Sequence, residues 1–107
     1  MKSQELFDVA GLSVAITGGA KGLGRAFAEA MVDNGARVTL FDRDRETLNR
    51  TVSELSARGD VDGSAVDVTD RAAIASAVNQ MVEKRGRLDV VFANAGIDGG
   101  SLLGRAD

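Results

Sequence analysis

Leu12-Ser13-Val14-Ala15-Ile16-Thr17-Gly18-Gly19-Ala20-Lys21-Gly22-Leu23-Gly24 is the stretch that decides the fold of this chain. It opens as a short apolar run of strand character and passes at once into a glycine cluster. A segment of helical period follows, over roughly Lys21 to Asn34, with Leu23, Phe27, Ala30 and Met31 at the i, i+4, i+7, i+8 spacing of a core-facing stripe. Glycines between a strand and a helix allow a tight turn, let backbone approach a pyrophosphate, and let the helix pack against the sheet. An anion held there meets the free N–H groups and the positive end of the helix dipole. The spacing Gly18-x-x-x-Gly22-x-Gly24 departs from the general G-x-G-x-x-G fingerprint, but the strand–turn–helix context is the one such a loop requires. No Gly-Lys-Ser/Thr triplet follows, which excludes a P-loop.

Outward from that loop the same alternation repeats. Gly35 stands where a left-handed residue would stop the first helix. Val38-Thr39-Leu40-Phe41 reads as a second strand, apolar enough to be buried on both faces. Asp44 is placed to cap a second helix carrying Leu48, Val52 and Leu55. Gly59 to Gly63 reads as a turn and Ser64 to Val68 as a third strand. Thr69 or Asp70 caps a third helix with the stripe Ile74, Val78, Met81 and Val82, ended by Gly86. Leu88 to Ala93 is the fourth strand, and 97–107 has loop composition. The order β-α-β-α-β-α-β predicts an α/β, Rossmann-type doubly wound parallel sheet of strand order 3-2-1-4. Its fourth strand would be an apolar edge, leaving the sheet incomplete.

Composition narrows the function classes. The 107 residues suffice for one domain; 44% are hydrophobic and 27% charged, the balance of a globular chain. The net charge of -3 favours neither a nucleic acid nor an anionic membrane as partner, and no apolar run approaches the ~18 residues of a membrane span. The absence of cysteine excludes disulfides and thiolate metal sites, so a cytoplasmic protein without a metal is expected. There is no His and no Tyr, which removes two of the groups most used for proton transfer near neutral pH.

Thr17-Gly18-x-x-x-Gly22-x-Gly24 resembles the TGxxxGxG cofactor loop of the short-chain dehydrogenase/reductase family, and three further motifs stand in register. Asp42 closes the second strand, Asp67-Val68 the third, and Asn94-Ala95-Gly96 the fourth, so the resemblance covers essentially the whole chain. It implies a nicotinamide dinucleotide bound by Thr17, Gly18, Lys21, Gly22, Leu23 and Gly24 of the loop. Asp42, 18 residues beyond Gly24, is close to the ~20-residue offset of the acid that accepts from the adenosine ribose hydroxyls. The family pattern puts Asp67 at the adenine amino group and the Val68 backbone at the ring, with Asn94, Ala95 and Gly96 lining the cofactor ribose. Lys21 and Arg43 occupy positions often basic in NADP-preferring members, where two cations could hold a 2′-phosphate. Asp42 would place a carboxylate beside that phosphate, so NAD is the expected cofactor and NADP the lesser candidate, with Arg43 over the adenine and Lys21 solvated.

The family's chemistry is hydride transfer between nicotinamide and a secondary alcohol or ketone, using a Tyr-x-x-x-Lys pair, a Ser and an Asn. The chain stops before all of them, so no catalytic residue is assigned; Glu83 and Lys84 read as solvated charges, and Ser101 is not the catalytic Ser. The expectation is the N-terminal cofactor-binding half of an oxidoreductase, inactive alone, weak in cofactor binding, and prone to self-associate through its exposed strand. The parent would act on a small-molecule substrate and be homo-oligomeric. The competing readings are a non-catalytic dinucleotide-binding module and a structural α/β domain without ligand. The unprotected fourth strand favours the first reading over the module, and the three post-strand motifs count against the structural domain.

Overall fold

In the computed structural model, residues 8–94 are described. They alternate strand and helix throughout: β1 (Ser13–Thr17), α1 (Gly22–Asp33), β2 (Arg37–Asp42), α2 (Arg45–Ser56), β3 (Val61–Ala65), α3 (Arg71–Arg85) and β4 (Val90–Ala93). The four strands make one parallel sheet in the order β3-β2-β1-β4, as the alternation of elements predicts. β1 lies at its centre, pairing Val14 with Val38 on one side and with Val90 on the other. All five of its residues are buried.

Two-residue alternation along the strands builds two cores, one on each face. Val14 and Ile16 with Val38 and Leu40 point toward α1 and α2, where they meet Ala28, Met31, Val32, Leu48 and Leu55. Ala15 and Phe41 point the other way, against Ala77 and Met81 of α3. Phe27 of α1 stacks on Phe92 of β4 with ring centroids 4.2 Å apart, tying the edge strand to the first helix. Gly35 and Gly86, both at φ +88°, end α1 and α3 as the sequence predicts. Asp44 and Asp70 cap α2 and α3 by accepting from Thr47 N–H and Ala73 N–H, which settles the third cap on Asp70. No helix among the described residues is long and apolar enough to cross a membrane.

Three local readings are corrected. β3 runs Val61–Ala65, three residues earlier than predicted, so Val61, Asp62 and Gly63 of the expected turn lie in the strand. Acid and glycine disfavour strands locally; here Val61 pairs with Val38 and joins the core. Two arginine contacts then hold the acids. The Arg85 guanidinium lies 3.0 Å from Asp60 and 2.9 Å from Asp62. Second, α1 is rotated by about one residue: Gly24, Ala28, Met31 and Val32 are buried, while Ala30 is exposed and Leu23 is 66% exposed. Third, α3 buries Ala77, Met81 and Arg85, with Ile74 and Val78 packed at the rim of the core and Val82 half-buried.

Arg85 is an arginine at a core position, and its side chain is only 4% exposed. Its Nε donates to Thr39 Oγ1 (2.8 Å) and its Nη2 to the Val38 carbonyl (3.1 Å), so every bond reaches β2 or the start of β3. Burial disfavours the charge, but the hydrogen bonds and proximity of Asp60 and Asp62 outweigh it and raise the pKa further. Arg85→Met keeps the apolar stem and removes these bonds. It is expected to cost about 2 kcal/mol in a denaturant melt, because the Val38 carbonyl and Thr39 lose their donor.

Lys84 is solvated, as expected, with its side chain 67% exposed, and its ammonium also pairs with Asp62 at 2.7 Å. Glu83 is exposed, as expected. Burial pushes the Asp62 carboxyl up, but bonds from Lys84, Thr39 and Arg85 prevail and hold it below the usual carboxylate value. The folded chain therefore binds fewer protons there than the unfolded chain. Asp62 contributes its stabilisation fully above about pH 5 and loses it as pH falls from about 3.9 through the lower folded value. Asp62→Asn should flatten this acid limb of an unfolding curve; an unchanged limb would show that other carboxylates set it.

Candidate dinucleotide site

Because the strands are parallel, their carboxyl ends share one edge, and that edge carries the residues singled out by the sequence. A cavity of about 450 Å³ opens there, lined by Gly18, Lys21, Phe41, Asp42, Arg43, Asp44, Val66, Val68 and Asn94. It lies where the chain order reverses about β1, with β2 on one side and β4 on the other. That reversal point is where open α/β sheets bind ligands.

The floor is the glycine turn. Gly18 N–H donates to the Phe41 carbonyl (2.7 Å), fastening the turn to β2. Gly22 has φ +62°, in the left-handed region that a side chain disfavours. Gly24 allows the closest approach of all: a Cβ there would collide with the Gly18 carbonyl oxygen and stand 3.1 Å from Asn94 Nδ2. This contact explains the rotation of α1. The residue of α1 that meets the turn must be the one without a side chain, which turns Leu23 outward.

Asn94 closes the far side. Its N–H donates to Thr17 Oγ1 (3.0 Å) and its Nδ2 to the Gly18 carbonyl (3.3 Å), so the end of β4 is laced to the glycine turn. Ala95 and Gly96 lie outside the described residues. Asp42, the last residue of β2, faces the same turn: one carboxylate oxygen accepts from Ala20 N–H (3.2 Å), the other from Asp44 N–H (3.0 Å). Each oxygen retains acceptor capacity for a further donor.

Asp67 and Val68 lie beyond the third strand rather than closing it, since β3 ends at Ala65. Val68 lines the cavity with Val66, whereas Asp67 accepts from Thr69 N–H (2.9 Å) and Thr69 Oγ1 (2.7 Å) in a turn of its own. Those bonds, with the nearby charge of Arg43, hold the Asp67 carboxyl below its ordinary value. The Thr47 hydroxyl and N–H, with Lys21 and Arg50, do the same for Asp44. Lys21 is 72% exposed, its ammonium 4.0 Å from Asp44. Arg43 is exposed at the rim.

Sequence reasoning missed Thr51. It is buried on α2, and its hydroxyl donates to the Ala20 carbonyl at 2.6 Å. A signal was present: 48, 51, 52 and 55 form one helical stripe, with a hydroxyl among three aliphatic positions.

The residues present fit a dinucleotide. α1 has no acid in its first turn and receives no side-chain cap, whereas Asp44 caps α2 and Asp70 caps α3, so its N-terminal N–H groups face no capping carboxylate. The bare Gly24 face brings that terminus against the turn, and a carboxylate stands at the end of the neighbouring strand. No group of three or more metal-binding side chains occurs among the described residues.

A parallel 3-2-1-4 sheet with its glycine turn after the central strand defines a Rossmann-type α/β unit. The chain belongs to the short-chain dehydrogenase family, whose model matches residues 13–106. It has the NAD(P)-binding fold of those oxidoreductases. It is 39% identical over 87 residues to a sorbitol dehydrogenase of Cereibacter sphaeroides, covering 81% of this chain and 33% of that protein. A short-chain dehydrogenase/reductase from Burkholderia phymatum in complex with NAD superposes with TM-score 0.76 at 35% identity, covering 79% of this chain and 31% of the other. The RhlG/NADP active-site complex of Pseudomonas aeruginosa gives TM-score 0.76 at 34% identity, covering 82% and 36%. The chain spans about a third of the length of the curated relatives it matches.

Proposed function

We propose that this chain is the dinucleotide-binding portion of an NAD-dependent oxidoreductase acting on a secondary alcohol or ketone. Bound NAD supplies the hydride acceptor and, reduced, the donor. The chain's own part is binding and orientation. The α1 N-terminus and the turn from Gly18 to Gly24 would receive the pyrophosphate, and Asp42 the adenosine ribose. Arg43, Asp67 and Val68 would flank the adenine, and Asn94 with Ala95 and Gly96 the second ribose. The residues of this chain include no Tyr and no His, and the reading assigns none of them a proton-transfer role.

The observation that carries NAD over NADP is the placement of Asp42. Its two oxygens are anchored by Ala20 N–H and Asp44 N–H beside the glycine turn. A 2′-phosphate, with about two negative charges, would be repelled there. The cations that could offset this are exposed to solvent, Lys21 at 72% and Arg43 at the rim, whereas the Asp42 carboxylate is held in place.

Calorimetric titration with NAD and with NADP tests the reading. Saturable binding that is tighter for NAD supports it. Tighter binding of NADP would pass the ribose site to Lys21 and Arg43. A folded chain that binds neither would refute the assignment of dinucleotide binding to this chain alone.

A further inference from the structure

We infer that Thr51 is a positioning residue for the dinucleotide loop, acting with Asp42 to hold the two peptide groups on either side of Ala20. The inference rests on the proposed cofactor reading. Asp42 accepts from Ala20 N–H at 3.2 Å, and Thr51 Oγ1 donates to the Ala20 carbonyl at 2.6 Å. One bond holds the peptide before the Ala20 Cα and the other the peptide after it, so both soft dihedrals of that residue are held. Ala20 and Thr51 are each 1% exposed, so water does not replace either bond readily.

The second bond sets a direction. Across a trans peptide the C=O and the following N–H point opposite ways. With the Ala20 carbonyl drawn toward α2, the Lys21 N–H is turned away from it, joining the amides at the start of α1 that an anion would use. Thr51 also receives a long contact of 3.5 Å from Arg25 Nη1, and that guanidinium bonds Glu29 (3.0 Å) and Glu54 (2.7 Å). The hydroxyl oxygen thus has a donor of its own while its proton goes to Ala20. An aliphatic residue would fill this stripe position equally well, as Leu48 and Leu55 do. The hydroxyl is what the loop requires.

Thr51→Val preserves volume and removes only the donor. It is expected to weaken NAD binding about five- to tenfold, the scale of one lost hydrogen bond with a buried acceptor left behind. Thr51→Ser should restore affinity to within about twofold of the parent. Leu55→Val, which loosens the same helix without touching the loop, should leave affinity unchanged at a temperature where all variants are folded. Hydrogen exchange of the Ala20 amide should quicken in Thr51→Val and not in Leu55→Val. Parent-like NAD binding by Thr51→Val, or failure of Thr51→Ser to restore it, would overturn the inference. Should the parent chain bind neither dinucleotide, the cofactor reading falls by itself. Ala20 exchange then decides the clamp: unchanged protection in Thr51→Val refutes it.

Discussion

Gly24→Ala is expected to weaken dinucleotide binding about a hundredfold and to cost about 3 kcal/mol of stability, the upper range for forcing atoms into a packed contact. Two effects oppose each other. Ala is the better helix former by about 1 kcal/mol, which by itself would stabilise α1. Against this, the new Cβ would collide with the Gly18 carbonyl and stand 2.8 Å from its carbon, and these are backbone atoms with no rotamer to change. Relief requires α1 to lift from β1, which moves its N-terminus and disturbs the Asn94 bond to Gly18. Neighbouring glycines supply the contrast. At Gly22 a Cβ meets nothing within 4 Å, so Gly22→Ala carries only the left-handed penalty of about 1–2 kcal/mol. At Gly19 the nearest atom is the end of the buried Leu40 side chain at 2.8 Å, with the Ile16 side chain and carbonyl at 3.3 Å, so the clash is milder than one with backbone. Denaturant melts and titrations of the three variants should therefore rank Gly24→Ala as the most damaging. Parent-like affinity in Gly24→Ala would mean that α1 packs differently against the turn.

Asp42→Ser should exchange the cofactor preference. Removing the carboxylate deletes acceptors for the ribose hydroxyls and the anchors on Ala20 and Asp44. Hydrogen bonds to a charged group contribute about 1.5–3 kcal/mol, so NAD affinity should fall roughly ten- to a hundredfold. NADP binding should be retained or tightened, because relief of the 2′-phosphate repulsion offsets the lost hold on Ala20 and Lys21 and Arg43 remain at the rim. Titration of both cofactors against parent and variant gives the four affinities needed. A variant that retains its NAD affinity would remove Asp42 from the ribose role. Retained NAD affinity with stronger NADP binding would leave it only an excluding charge. Salt should weaken NADP binding to the variant, since both rim cations are exposed and screened.

Much of this was legible in the sequence because it is local. Helix caps at Asp44 and at Thr69 or Asp70, and helix stops at Gly35 and Gly86, need only the chemistry of a few neighbouring residues. The glycine turn after β1 needs only its own spacing and the strand before it. Sheet order followed from the alternation of elements, because right-handed crossovers leave few arrangements of four parallel strands.

The rest depended on which distant residue each group meets. Asp60, Val61, Asp62 and Gly63 have the composition of a turn, yet Val61 pairs with Val38 while Arg85, 25 residues from Asp60, holds the acids. The face of α1 was misjudged because large apolar side chains mark a core stripe only where there is room. At the start of α1 the Gly18 carbonyl leaves none, so Gly24 faces inward and Leu23 outward. Thr51 and Arg85 show the same limit: both occupy stripe positions, but only the folded chain brings the Ala20 carbonyl to one and the β2 edge to the other. Sequence alone determined the class of fold, the loop and its family, since these follow from short-range spacing. Tertiary structure decided which peptide groups are held, which helix face turns inward, and where β3 begins, since those are set by hydrogen bonds and steric contacts between residues far apart in the chain.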